Sequence, residues 1–220
     1  MTAAARATAV ALLALTPSLL GSSAPQCQGT AAPLRGTLRA AAGPAPAAPR
    51  WLERAVCDRT AELGQDCGQV ARVVFEEAGV AGLDPVLVLA IIQVESAWDV
   101  EAVSGSDAHG LMQLKLPTLA DEFAAGGLAS ANAHDPLVNV RAGIRYYARM
   151  LERFHDPELA MVAYNAGPNR LAGYLRAEAG VPDRFWDYPR RVRREERRLR
   201  DRLAAPPAMV AAADRATAVE

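Results

Sequence analysis

Apolar residues recur at helical spacing over most of the chain beyond residue 68, and turn residues separate the runs. From Gln69 to Ala78, Val70, Val73, Val74 and Phe75 alternate with Arg72, Glu76 and Glu77, a helix that Gly79 is expected to stop. Asp84-Pro85 then introduces the apolar run from Val86 to Val94, closed by Glu95-Ser96. An Asp cap with Pro at the first helical position starts a helix cleanly. Residues 101–116 break the pattern with Ser104-Gly105-Ser106-Asp107 and Gly110, so a loop or short hairpin is expected there. Pro117 to Phe123 restarts a helix and Gly126-Gly127 ends it.

Asp135-Pro136 opens a long helix whose apolar face holds Val140, Ile144, Tyr147, Leu151 and Phe154. Arg141, Arg145, Arg149 and Arg153 line another face, as a solvated surface would. Tyr146 and Tyr147 are neighbours, so one faces the core and the other a groove or solvent. Asp156-Pro157 opens a short helix ending near Ala166-Gly167-Pro168, and a further one runs from about Asn169 to Glu178. The arginine-rich segment 189–204, tempered by Glu195 and Glu196, reads as a solvated basic helix or as a surface for anionic envelope polymers. No strand of convincing alternation is present outside 101–116. The fold class is mainly α, with a groove where loops meet helix ends.

Composition adds a compartment. The first 24 residues read as a signal peptide: Arg6 precedes an apolar stretch from Ala9 to Leu20, and small residues follow. The chain is therefore expected to be exported to the periplasm or cell envelope. Cys27 offers a lipidation position, although Ala24-Pro25-Gln26 is a poor small-residue box for it. Residues 25–50 are rich in Ala, Pro and Gly and read as a flexible linker, 51–205 as the folded domain with its core at 68–180, and 206–220 as a disordered tail. No later segment is apolar enough to span a membrane once the signal is removed. A net charge of -1 gives no support to a nucleic-acid partner. Export permits a disulfide between Cys57 and Cys67, with two reduced thiols as the other reading. Neither the cysteines nor His109, His134 and His155 show metal-ligand spacing, and no cofactor is expected.

Glu95 carries the candidate chemistry. Val88, Ile91 and Ile92 precede it by seven, four and three residues and share its helix face. A carboxyl on such a face is poorly solvated and favours its neutral form, which suits a general acid. Taken alone, it reads more simply as a solvated helix-end carboxylate. Three downstream segments change that: Ser104 with Gly110-Leu111-Met112-Gln113; Asp135-Pro136 with Asn139 and Ala142 to Tyr146; and Ala163-Tyr164-Asn165-Ala166-Gly167-Pro168. In this order and at these separations they resemble the lytic transglycosylases of the goose-lysozyme-like superfamily, specifically the soluble, SLT-domain type. The resemblance covers about residues 68–180 and implies a lysozyme-like helical domain.

It also implies a function and a site. The expected partner is the glycan strand of peptidoglycan, cleaved between N-acetylmuramic acid and N-acetylglucosamine to leave 1,6-anhydromuramic ends. Glu95 would serve as acid and then base, since the family manages with one glutamate. Gln113 and Ser104 would contact glycan, Ser104 near an N-acetyl group, and the Tyr164 hydroxyl would lie close to the catalytic carboxyl. Leu111 and Met112 offer apolar surface to a sugar face, or simply fill the core. Tyr146 and Asn165 complete the expected binding set, and Ser96 either braces the turn after the helix or touches glycan. Gly110 removes a side chain where the backbone passes close to a neighbour. Asp99 and Asp107 are the acids to weigh as a second carboxylate; one acting directly would favour hydrolysis by water. Lys115 departs from the family, which commonly has Met there; its stem can pack on sugar while its ammonium meets an anionic group, or it is a surface lysine. Two rival readings stay open: a hydrolytic muramidase, and a glycan-binding envelope protein associated with a secretion or conjugation machine.

Overall fold

In the computed structural model, residues 47–59, 67–126, 132–177 and 180–205 are described. The segments read above as signal peptide and C-terminal tail, and nearly all of the one read as linker, lie outside the described residues. Eight helices are present among those described: α1 (Arg50–Cys57), α2 (Cys67–Ala81), α3 (Pro85–Ser96), α4 (Leu116–Gly126), α5 (Pro136–Phe154), α6 (Pro157–Ala166), α7 (Pro168–Arg176) and α8 (Asp187–Ala204). A two-stranded antiparallel hairpin, β1 (Ala108–His109) with β2 (Leu114–Lys115), interrupts them after α3. The fold is mainly helical, as the sequence pattern implies.

Three helices begin in the same way. Asp84, Asp135 and Asp156 each accept backbone N–H bonds at the N-terminus of α3, α5 and α6, with Pro next in the chain. The carboxylate satisfies donors that lack intrahelical partners, and proline loses none it needed. One boundary differs from expectation: α2 passes through Gly79 and stops at Ala81. The terminating residue is Gly82, at φ +65°, where Leu83 N–H reaches back to the Ala78 carbonyl. Only the second glycine takes the left-handed conformation that closes a helix end.

Helix α3 is the centre of the core. Every residue from Val86 to Ile92 is buried, so it is apolar all round rather than on one stripe. It packs against α2 and along α8, while α5 packs between α2, α4 and α6. A disulfide joins Cys57 to Cys67 and ties α1 to α2. Among the described residues no single helix is long and apolar enough to cross a membrane.

Two charged faces are not simply solvated. On α5, Arg141 and Arg145 both grip the mostly buried Glu77 of α2, and Arg149 pairs with the buried Glu122 of α4. On α8, Tyr188, Val192, Glu196 and Leu199 turn inward at helical spacing. Arg193 there bonds Glu158 and Glu196, and Arg200 bonds Glu196 and Asp84. The arginines act as an ionic collar around the apolar centre.

Candidate active site

Glu95 occupies the next-to-last position of α3, where the helix leaves the core and meets a cavity of about 590 Å³. The helix ends abruptly. Ala97 and Trp98 both have positive φ, 53° and 74°, and Ala97 N–H bonds the Gln93 carbonyl. Ser96 holds this reversal: its Oγ accepts from Trp98 N–H at 3.1 Å and donates to the Leu111 carbonyl at 3.0 Å. Ser96 therefore braces the end of α3 against the 110–113 segment. It does not line the cavity.

That segment is pinned from below by Asn139, fully buried on α5. Its Oδ1 accepts from Met112 N–H at 2.7 Å, and its Nδ2 donates to the His109 and Ala133 carbonyls. Gly110, at φ +72°, is required here, because a Cβ would sit 2.5 Å from the Ala133 oxygen and from Asn139 Nδ2. Leu111 and Met112 point into the core, both at 0% exposure, and neither lines the cavity. The expected sugar contact from these two is corrected accordingly. Met112 fills the space left by Gly143, whose Cβ would meet its sulfur at 2.4 Å.

Gln113 does reach the cavity, from a backbone at φ 47°. Its amide nitrogen donates to the carbonyls of Ala102 and Gly110, at 3.0 and 2.9 Å. Both amide hydrogens are thus committed, and the oxygen is the group left to accept from a ligand. Ser104 also lines the cavity, with its Oγ accepting from Ala108 N–H at 3.1 Å and from Ser106 N–H at 3.3 Å. Tyr146, Tyr164, Asn165 and Lys115 complete the expected set that faces it. Tyr147 turns to the core and Tyr146 to the cavity.

Tyr164, expected close to the carboxyl, shares its cavity but does not bond it. Tyr164 donates to the Met112 carbonyl at 2.7 Å, so it props up the 110–113 segment from above. Tyr188, on α8, donates to Glu95 Oε1 at 2.6 Å. The rings of Tyr164 and Tyr188 lie nearly parallel with centroids 6.4 Å apart, and Tyr146 leans on Tyr164 at 5.2 Å. Sequence reading passed over Tyr188 because it sits in an arginine-rich run. The inward spacing Tyr188, Val192, Glu196, Leu199 was the available signal.

Burial pushes the Glu95 carboxyl from its ordinary 4.5 to about 7, against the opposing pull of the Tyr188 hydrogen bond and the Arg191 charge. Burial, reinforced by the Glu95 charge, also holds the Tyr164 and Tyr188 hydroxyls well above their usual range, so both stay protonated donors. Among the described residues Glu95 is the only acid lining the cavity. Asp99 lies beyond the chain reversal, exposed, accepting from Glu101 N–H. Asp107 turns outward to His109 at 2.9 Å.

The site is thus a helical domain presenting one protonatable carboxyl to a polar groove. The chain belongs to the transglycosylase SLT domain family, whose sequence profile matches residues 72–184. A transglycosylase of Enterobacteria phage PRD1 is 38% identical over 88 residues, 40% of this chain and 31% of that one. The membrane-bound lytic murein transglycosylase F 1 of Alkalilimnicola ehrlichii is 36% identical over 122 residues, 51% of this chain and 24% of that one. An inactive mutant of the lytic transglycosylase Slt of Pseudomonas aeruginosa superposes with a TM-score of 0.53 at 26% identity, over 68% of this chain and 26% of that chain. The 70 kDa soluble lytic transglycosylase of Escherichia coli, at 22% identity and a TM-score of 0.55, shares the fold over 62% of this chain and 25% of its own. This chain thus spans a third or less of the length of these relatives.

Proposed function

We propose that this protein is a peptidoglycan lytic transglycosylase, cleaving the β-1,4 bond between N-acetylmuramic acid and N-acetylglucosamine. The observation that carries the reading is a single carboxyl, held near neutral pH in its acid form, in a cavity with no second acid among its described lining residues. Two-carboxylate glycosidases place the partner roughly 5–10 Å away. Here Glu95 takes both roles in turn. As an acid it protonates the glycosidic oxygen as that bond breaks. As a carboxylate, steadied by the Tyr188 hydroxyl, it takes the proton of the muramyl 6-hydroxyl, whose oxygen attacks C1 and closes the 1,6-anhydro ring. The proton count closes on the starting state of Glu95. Attack from within the sugar needs no captured water and gains from proximity.

The Gln113 oxygen is suited to accept from a sugar hydroxyl or acetamido N–H, and Ser104, Tyr146 and Asn165 supply further polar groups along the groove. Action in the periplasm or cell envelope agrees with the Cys57–Cys67 bond, a kind of link that persists in oxidising compartments. The test is mass spectrometry of purified sacculi digested by wild-type and Glu95→Gln protein. Wild type should release muropeptide fragments one water lighter than hydrolytic products. Hydrated ends alone would overturn the assignment to internal transfer.

A further inference from the structure

Most arginines facing the helical core have acidic partners. On α5, Arg141, Arg145 and Arg149 are held by Glu77 and Glu122; on α8, Arg193 and Arg200 are held by Glu158, Glu196 and Asp84. The two cations that line the cavity are different. Lys115, the only lysine of the chain, stands at the end of β2, and Arg170 on the first turn of α7. Neither side chain has a hydrogen bond or ion pair with any described residue, and both residues are exposed. The only acid among the described lining residues is Glu95, whose carboxyl is engaged by Tyr188 and pairs with neither cation. The cavity is therefore a polar groove with two uncompensated positive charges, contributed by separate elements of the fold.

We infer that Lys115 and Arg170 bind a carboxylate carried on the muramyl 3-O-substituent, so that the groove selects anionic glycan over neutral glycan of the same length. This rests on the proposed reading of the cavity as a glycan site and adds its specificity. The lysine contributes a mobile point charge on an apolar stem, and the arginine a planar fork matched to a carboxylate. Two sources carry that chemistry: the free lactyl carboxylate of strands stripped of peptide, and the carboxylates of an attached peptide stem.

Recognition is read apart from turnover by titrating the Glu95→Gln protein with three ligands of equal length. These are peptide-bearing glycan, glycan stripped by an amidase to free lactyl groups, and a neutral chitooligosaccharide. At low salt one or both anionic ligands should bind roughly tenfold more tightly than the neutral one, as expected for two partly screened ion pairs. Tighter binding of the peptide-bearing or the stripped ligand identifies which carboxylate is held. The preference should shrink on adding Lys115→Met or Arg170→Gln and on raising salt, and return with Lys115→Arg. Equal affinity for all three ligands, or a preference indifferent to both substitutions, overturns the inference. Selective binding by a protein whose wild type releases no anhydro product would instead sink the cleavage reading and leave this one standing.

Discussion

The Tyr188 hydroxyl donates to Oε1 of Glu95 across 2.6 Å, joining two residues 93 positions apart. A hydroxyl at this distance is placed to donate to the carboxylate form. The bond favours the carboxylate and so works against burial. Its removal by Tyr188→Phe should raise the Glu95 pKa further above about 7 and move the alkaline limb of the pH–rate profile upward. The maximal rate should fall roughly 10- to 100-fold, the worth of one hydrogen bond to a charged group. A profile that keeps its limb while losing rate would show that Tyr188 acts only through packing.

Glu95 itself gives a prediction on stability. Its folded-state pKa is raised, so the native state binds the proton more tightly than the unfolded chain does. Between about pH 4.5 and 7 the unfolded chain loses this proton first, and stability falls as pH rises through that window. Glu95→Gln removes the buried ionisation and should be more stable than wild type at pH 8, by about 2–3 kcal/mol, with the difference vanishing near pH 4. Denaturant melts at both pH values check this. Turnover in the same variant should drop by about a thousandfold or more.

Asn139 holds three backbone groups of the site from within the core. Asn139→Ala leaves Met112 N–H and the His109 and Ala133 carbonyls without that partner. The expected loss is about 3 kcal/mol, seen as a lowered denaturation midpoint, because each buried group pays its own desolvation. Gly143→Ala should cost about 1–3 kcal/mol by driving a methyl into Met112.

The disulfide is local and distant in role from the cavity. Cys57→Ser with Cys67→Ser should lower stability by about 2–3 kcal/mol, the loop-closure value for so short a ring. Neither cysteine lines the cavity, so the same variant tested at a temperature where it stays folded should keep the wild-type pH profile. A changed profile would link α1 to the acid.

What was legible in the sequence is what local chemistry decides. Asp84-Pro85, Asp135-Pro136 and Asp156-Pro157 announce three helix starts because a cap and a proline act within one turn. The Tyr146–Tyr147 divergence also follows from helical spacing. Residues whose roles depend on a distant partner were read less well. Leu111 and Met112 look like sugar platforms until α5 supplies a glycine for methionine to fill. The hydroxyl beside Glu95 belongs to α8, whose arginines hide its inward stripe. Gly79 and Gly82 are indistinguishable as letters, and only the chain path shows which takes the left-handed turn.

The contact of α8 with α3 has a mechanical side. Tyr188 grips α3 at Glu95, and Arg200 grips it at its cap, Asp84. The two grips are twelve residues apart on one helix and eleven on the other, spans of roughly 18 and 17 Å at helical rise. The two rods are thus pegged at both ends and held to one length. A slip of a single residue would shift the carboxyl by about 1.5 Å against its hydroxyl, more than a hydrogen bond tolerates. The outer, arginine-laden helix is a gauge block against which the position of the acid is set.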